Sequence, residues 1–491
     1  MAKSSWITKI HHAAFYYIPA ILRTFITWLS GVSETSSQWN LKTAFTVSIA
    51  RAIFNDPARI SMLEEQEASF TKPPITSSMW VCKDEFPATG KNNLSQLVRE
   101  AVSDLSGDNT DIPFTDVATV EGEWVGHRYN STGVYGNIAS SRSNEERQYH
   151  QMANDTKNDI VLIYLHGGQF YLRNPESRRS LVHALAQRTG GRCFSMAYRL
   201  SPQHMFPSAL LDLLLVYLSL LYPPPSDSHL AASPPTSICI CGDSSGGNIA
   251  AAFLQLILHL NRKEPPGVAS VLWNDAHVPL PCPGAVCIHS GYMDLTRSLP
   301  SEMENLKFDI IPSPGRPPTP VTRYFEDAIW PPEQPRHHVY APTHLLTHPL
   351  VSPITARDWK ECPTQVWLSV GQECLADGNI VLAKEMAGQG VDVELEIYEG
   401  MPHDFLVLLS SSSCGQDCFD RWAKFVKRAI GREGPGERTE NERNVAIIHS
   451  IDGKKKQTPL TEIQPQKTVE ELIEGMEAKI QSWGQPPTRL H

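Results

Sequence analysis

Residues 238–260 read ICICGDSSGGNIAAAFLQLILHL, and the break at Gly-Asp-Ser-Ser-Gly-Gly, 242–247, decides the architecture. Ser237 to Cys241 has the character of a short buried strand, and from Asn248 onward Ala, Phe, Leu and Ile recur at helical spacing. Only a few residues turn the chain between the two. A turn that tight forces strained backbone angles on its central residue, so its neighbours must be small. The pattern G-x-S-x-G sets Ser244 at the tip of such a strand–turn–helix elbow, the geometry that exposes a nucleophile. Taken alone the motif is equally a plain turn, because glycine and serine are common. What the rest of the chain supplies decides between the two.

Outward from this stretch, strand alternates with helix. DIVLIYLHGG (159–168) is an apolar strand ending in glycines, and SRRSLVHALAQRTG (177–190) is an amphipathic helix closed by Gly190. RCFSMAYRLSP (192–202) is a strand and SALLDLLLVYLSLLY (208–222) a helix; GAVCIHSGYMDL (284–295), TQVWLSVGQECL (364–375) and DVELEIYEGMPHDF (392–405) are further strands. This alternation requires crossover connections, and so predicts an α/β fold whose mostly parallel sheet is covered by helices on both faces.

Bulk properties narrow the function. The chain has 491 residues, of which 43 are basic and 53 acidic, a formal charge of −10 that gives no basic field for nucleic acid. Its ten cysteines follow no framework. Cys239 and Cys241 alternate along the buried strand as small hydrophobes, and Cys414 and Cys418 lack the companions a zinc site needs.

Three regions are expected. Residues 1–150 hold the first strands and an N-terminal cap. Within them AAFYYIPAILRTFITWL (13–29), preceded by Lys3 and Lys9, reads either as an amphipathic helix packed over a pocket or as a membrane-associated helix, with Pro19 and Arg23 interrupting any span. Residues 151–430 form the core, with a Pro- and His-rich surface excursion at 298–349. Residues 431–491 carry a charged linker, a hairpin with an Asp-Gly turn in NVAIIHSIDGKKKQ (444–457), and a helix capped by Thr468 with Glu471 three residues on.

In a sheet of this kind ligands lie at the carboxyl ends of the strands, and each of these strands ends in something chemically useful. A serine hydroxyl needs a base to accept its proton, and the base needs a third group to orient it. His403 follows the last core strand and can be the base. Glu373 follows the strand before it and can be the orienting carboxylate, with Asp377 as the alternative acid. The structural reading of Asp377 is an N-cap for the helix that follows. Gly167 and Gly168 end the first core strand without side chains, so their amides, with that of Ser245, can approach a developing oxyanion. His166 and Asp243 read as braces of the oxyanion loop and the elbow, and His337, His338, His344 and His348 as loop residues rather than metal ligands. His289 faces either pocket or core.

The ordered set HGG (166–168), YRLSP (198–202), FPSALLD (206–212), GDSSGG (242–247), HPLVSP (348–353) and MPHDF (401–405) resembles the hormone-sensitive-lipase family of α/β-hydrolase carboxylesterases, which includes arylacetamide deacetylases, with a texture closest to fungal members. The resemblance spans roughly 159–409. It implies an α/β-hydrolase fold, a cap built largely from the N-terminal segment, a small-molecule ester as substrate, and neither metal nor organic cofactor. Two positions depart from the family. Gln169 stands where a third glycine is common, and Glu373 where the acid is usually Asp.

The sequence therefore predicts a serine carboxylic-ester hydrolase, esterase- or lipase-like and of deacetylase type, working through Ser244, His403 and Glu373. An acyltransferase using the same residues stays open, as does a non-catalytic binding protein on the same scaffold. The location expected is the cytoplasm or the endoplasmic-reticulum membrane.

Overall fold

The structure, a computed structural model, describes residues 16–56, 60–106, 115–129, 141–224, 229–264, 267–312, 324–333, 335–431 and 444–484. Among them, ten strands form one sheet: β1 (Met79–Phe86), β2 (Val120–His127), β3 (Val161–Leu165), β4 (Arg192–Ala197), β5 (Ile238–Asp243), β6 (Ala285–His289), β7 (Gln365–Gly371), β8 (Val393–Tyr398), β9 (Val445–His449) and β10 (Lys455–Pro459). Their order is β10-β9-β8-β7-β6-β5-β3-β4-β2-β1. The pairs β1–β2, β2–β4 and β9–β10 are antiparallel and all the others parallel, so only β2 and β10 run against the rest.

Alternation along the strands sorts their side chains onto two faces. Val161, Ile163 and Leu165 of β3, Ile238 and Ile240 of β5, and Val286 and Ile288 of β6 enter one core, with α7 (Ser208–Leu221) and α8 (Ser245–Lys263). Leu162 and Tyr164, Cys239 and Cys241, and Ala285 and Cys287 enter the other, with α6 (Arg179–Thr189) and α12 (Ser413–Ala429). Cys239 and Cys241 are thus small core residues, as their alternation predicts, and Cys287 joins them with its Sγ 3.5 Å from that of Cys239. Every residue of α7 is buried. At about 1.5–3 kcal/mol for each fully buried Leu or Val, that helix is a main source of stability.

The chain leaves β3 toward β4 on one side and returns as β5 on the other. The strand order therefore reverses between β3 and β5, which sets the loop after β3 beside the elbow after β5.

Three other segments frame this end of the sheet. Helix α2 (Leu41–Phe54), against which α1 (Ile18–Leu29) packs, meets Phe308 and Ile310 through Ala44 and Val47, and Trp39, just before it, joins that cluster and donates through Nε1 to the Gly400 carbonyl at 2.6 Å. Helix α3 (Met62–Ser69) is tied to the loop after β3, where Gln66 Nε2 donates to the Tyr171 carbonyl at 2.7 Å. The expected surface excursion after Ser298 is partly buried among the described residues. Phe308 and Ile310 pack against α2, Trp330 and Val339 pack against Met62 of α3 and the loop after β3, and Asp309 and 336–341 are buried as well.

The hairpin at 444–457 forms with its turn at Asp452-Gly453, and it extends the main sheet as β9 and β10. Helix α13 (Val469–Gln481) has the expected capping box between Thr468 and Glu471, and places Leu472 and Met476 in the core. The expected linker at 432–443 lies outside the described residues, as does the start of 13–29. No helix among the described residues is long and apolar enough to cross a membrane.

Candidate active site

Ser244 has φ +51° and ψ −119°, a left-handed backbone that a non-glycine residue adopts only under constraint. The constraint is visible. Its N–H donates to the His289 carbonyl at 2.9 Å, and its own carbonyl accepts from Tyr292 N at 3.0 Å. A Cβ at Gly242 would stand 2.4 Å from the Gly246 carbonyl carbon, and one at Gly246 would stand 2.0 Å from the Leu165 oxygen. The two glycines of G-x-S-x-G are therefore required by close backbone approach.

Three loops then converge. Ser244 Oγ lies 3.1 Å from His403 Nε2, and His403 Nδ1 lies 3.2 Å from Glu373 Oε1. A carboxylate only accepts, so the Nδ1 proton points at Glu373 and Nε2 is left to take the Ser244 proton. Glu373 is fully buried. Its other oxygen accepts from Ser290 Oγ at 2.8 Å and from Gly371 N at 3.3 Å. Burial alone would lower the His403 pKa. Glu373, by charge and by hydrogen bond, together with the nearby Asp309 and Asp404, outweighs it and holds the ring above its ordinary value.

Asp377 is brought elsewhere. It lies in the first turn of α10 (Ala376–Gly388) rather than at the cap, which is Leu375, and its Oδ2 accepts from Ser301 N at 2.8 Å while Ser301 Oγ accepts from its N–H. That exchange ties α10 to the short α9 (Ser301–Glu304).

The loop after β3 passes beside the elbow. A Cβ at Gly167 would stand 2.4 Å from Asp243 Oδ2 and 2.9 Å from the Ser244 Cβ, so this glycine too is required by close approach. Among the described residues, the N–H groups of Gly168, Gln169 and Ser245 have no protein acceptor. Gln169 and Phe170 both have positive φ, +54° and +67°, so the position that departs from the family keeps a glycine-like backbone. His166 braces this loop, with Nδ1 2.8 Å from the Gly167 carbonyl oxygen and its ring stacked on Tyr198.

Asp243 is a brace as well. It accepts from Tyr164 Oη at 2.8 Å and pairs with Arg178 at 2.6 Å. Burial opposes its charge, but Arg178, Tyr164 and Gly167 outweigh burial and hold it well below the usual carboxylate range. His289 faces the core, with Nδ1 2.8 Å from Ser369 Oγ, and burial pushes it down to about 3.

Sequence reasoning missed Arg178, Ser290 and Asp309. The strand-end Ser290, in HSG, carried a faint positional signal, whereas Arg178 and Asp309 carried none. A cavity of about 980 Å³ touches His166 and Tyr198 on the far flank of the loop after β3 and does not reach Ser244.

A family model described as the alpha/beta hydrolase fold matches residues 162–407. The chain belongs to that family. Within it, the hormone-sensitive-lipase resemblance read from the motifs holds. This α/β-hydrolase shares its fold with the crystal structure of an esterase from the bacterial hormone-sensitive lipase family. That match has a TM-score of 0.52 at 19% identity, covering 80% of this chain and 99% of that one. It is 24% identical to Lipase 2 of Moraxella sp. (strain TA144) over 291 residues, 55% of this chain and 58% of that protein. It is 30% identical to an acetyl-hydrolase of Streptomyces hygroscopicus over 184 residues, 38% of this chain and 51% of that protein. The chain thus spans little more than half the length of either relative.

Proposed function

We propose that the protein hydrolyses carboxylic esters through an acyl-enzyme on Ser244. The observation that carries this reading is the unbroken line from Ser244 Oγ through the His403 ring to Glu373, at 3.1 and 3.2 Å, on a strained elbow. Ser244 Oγ attacks the ester carbonyl while His403 Nε2 takes its proton. Glu373 holds the ring in the required tautomer and stabilises the imidazolium. The tetrahedral oxyanion is met by the free amides of Gly168 and Ser245, and the Gln169 amide follows in the same turn. Such donors contribute about 2.7–4 kcal/mol each to the transition state. The imidazolium then gives its proton to the leaving alcohol as the C–O bond breaks. Water, deprotonated by His403, attacks the acyl-enzyme, and the imidazolium returns that proton to Ser244 Oγ as the Oγ–acyl bond breaks and the carboxylic acid is released. The relative named acetyl-hydrolase supports a short acyl group.

The test is mass spectrometry after treatment with a fluorophosphonate, beside turnover of p-nitrophenyl acetate. The expected result is an adduct on Ser244, with turnover abolished in Ser244→Ala. Wild-type turnover in Ser244→Ala, or no adduct on folded protein, overturns it. An adduct together with acyl transfer to an added alcohol in place of hydrolysis would move the reading to an acyltransferase.

A lipid surface is the partner we propose for the cap. Ile18, Leu22, Phe25, Ile26 and Leu29 of α1 and Ile49 and Ile53 of α2 are all exposed, and α1 buries no residue at all. The sequence before Glu34 has Lys3, Lys9 and Arg23 and no acidic residue, in a chain whose net charge is −10. An apolar helical face with local positive charge suits an anionic membrane interface, and α1 is too short to span one.

A further inference from the structure

Asp309 sits in the segment that the sequence assigned to a surface excursion, yet it is fully buried between the acid and base loops. Its Oδ1 accepts from the His403 N–H at 3.1 Å, and its Oδ2 accepts from the N–H of Cys374, the residue after Glu373, at 2.5 Å. One carboxylate thus bonds both loops at their working residues. Its own segment is held by the cap, since the Arg51 guanidinium of α2 donates to the carbonyls of Leu306, Lys307 and Asp309 at 3.4, 2.9 and 2.8 Å.

We propose that Asp309 is a positioning residue for the Glu373–His403 pair, setting the spacing of the two loops through its two amide bonds and the field at the imidazole through its charge. The proposal rests on the ester-hydrolase reading and deepens it. The two amides use both carboxylate oxygens, so Asn keeps an acceptor for one of them and turns a donor toward the other. The negative charge is separable from that role at Arg51, whose substitution leaves both oxygens in place. It acts on the imidazole through a dry interior, where charges interact far more strongly than in water. The charged and titratable groups around the His403 ring are Glu373 at Nδ1, Asp309 beneath its backbone, Asp404 next in the chain with Arg178 behind it, and His289 from β6. Arg51 faces Asp309 from α2.

The experiment is the pH profile of kcat/KM on p-nitrophenyl acetate for the wild type, Asp309→Asn, Asp309→Ala and Arg51→Gln, with thermal unfolding as the check on folding. Asp309→Asn should lower kcat by about tenfold, because one of the two amides loses its acceptor, and move the acid limb down by about half a pH unit, because one neighbouring anion is gone. Asp309→Ala should show the same downward shift with kcat lower by about a hundredfold, because both amides lose their acceptor and the two loops lose their spacing. Arg51→Gln should move the limb the opposite way, since the Asp309 field is then less compensated. Limbs that stay at the wild-type position in folded Asp309→Asn and Arg51→Gln overturn the proposal. If Asp309→Asn does not fold, the sign of the Arg51→Gln shift decides. Loss of turnover in Ser244→Ala with unmoved limbs would defeat this inference alone. Wild-type turnover in Ser244→Ala would defeat the ester-hydrolase reading on which it rests.

Discussion

The Arg178 guanidinium donates to Asp404 Oδ2 at 2.8 Å, and the same nitrogen donates to Asp243 Oδ2 at 2.6 Å. Asp243 precedes Ser244 and Asp404 follows His403, so a single buried cation pins the elbow and the histidine loop to each other. It comes from the 3₁₀ turn Pro175–Arg178, just before α6.

Arg178→Met should therefore destabilise the fold by about 3–5 kcal/mol at pH 7, because two buried carboxylates lose their counter-charge. In the wild type Asp243 is held low, so its contribution is present above the ordinary carboxylate pKa and is lost as pH falls through the folded value. In the variant both carboxyls are raised by burial, and stability instead falls as pH rises above their unfolded values. Urea unfolding at pH 7 and pH 4.5 checks this, with a larger deficit expected at pH 7.

The proposed acid can be told from its neighbour. Glu373→Gln should lower kcat by about 10³–10⁴-fold, because the ring loses both its orienting charge and its tautomer preference. Asp377→Asn should leave kcat/KM within about threefold, since its carboxylate only bonds the Ser301 amide. Steady-state kinetics on one aryl ester compares the two, and the reverse ranking would make Asp377 the acid.

His403 is raised by its carboxylate neighbours, and it must be neutral to accept the Ser244 proton. The acid limb of kcat/KM should accordingly lie above the ordinary histidine value of about 6.5, with activity rising as pH increases through it. Glu373→Gln should move that limb down in whatever activity survives. The pH profile of kcat/KM measures both.

The exposed apolar face of the cap predicts co-sedimentation with vesicles containing anionic phosphatidylserine. The triple variant Leu22→Ser, Phe25→Ser, Ile26→Ser should lose most of that binding while hydrolysing p-nitrophenyl acetate at the wild-type rate. Wild-type protein that stays in the supernatant would refute the lipid partner.

Residues beyond Gly431 should prove structural. A chain ending there loses β9, which pairs with β8 from Leu395 to Tyr398, and loses Leu460, Leu472 and Met476 from the core. It bares a parallel strand edge, and its soluble yield should collapse. Yield and cooperative thermal unfolding at wild-type levels would show the tail to be dispensable.

The elbow, the Gly167–Gly168 loop, Glu373 and His403 were all legible in the sequence, as were the strand–helix rhythm and the terminal hairpin. Each lies at a strand end whose pattern is local, so residues a few positions apart carried the signal. Asp309 and Arg178 were not legible. Their roles come from bonds to loops 65 and 226 residues away in the chain, and neither neighbours a motif. Glu373 and its alternative Asp377 stand four residues apart in the sequence, and the turn into α10 sends one side chain to His403 and the other to Ser301.

By itself the sequence determined the parallel α/β sheet, the glycine-forced turn at Ser244 and the side-chain types at each strand end, because periodicity and backbone sterics act over a few residues. Only the tertiary structure decided which carboxylate meets His403, that a buried Asp309 joins two loops, and that the C-terminal hairpin completes the sheet. Those are contacts between segments far apart in the chain, set by how the layers pack, and no local pattern encodes them.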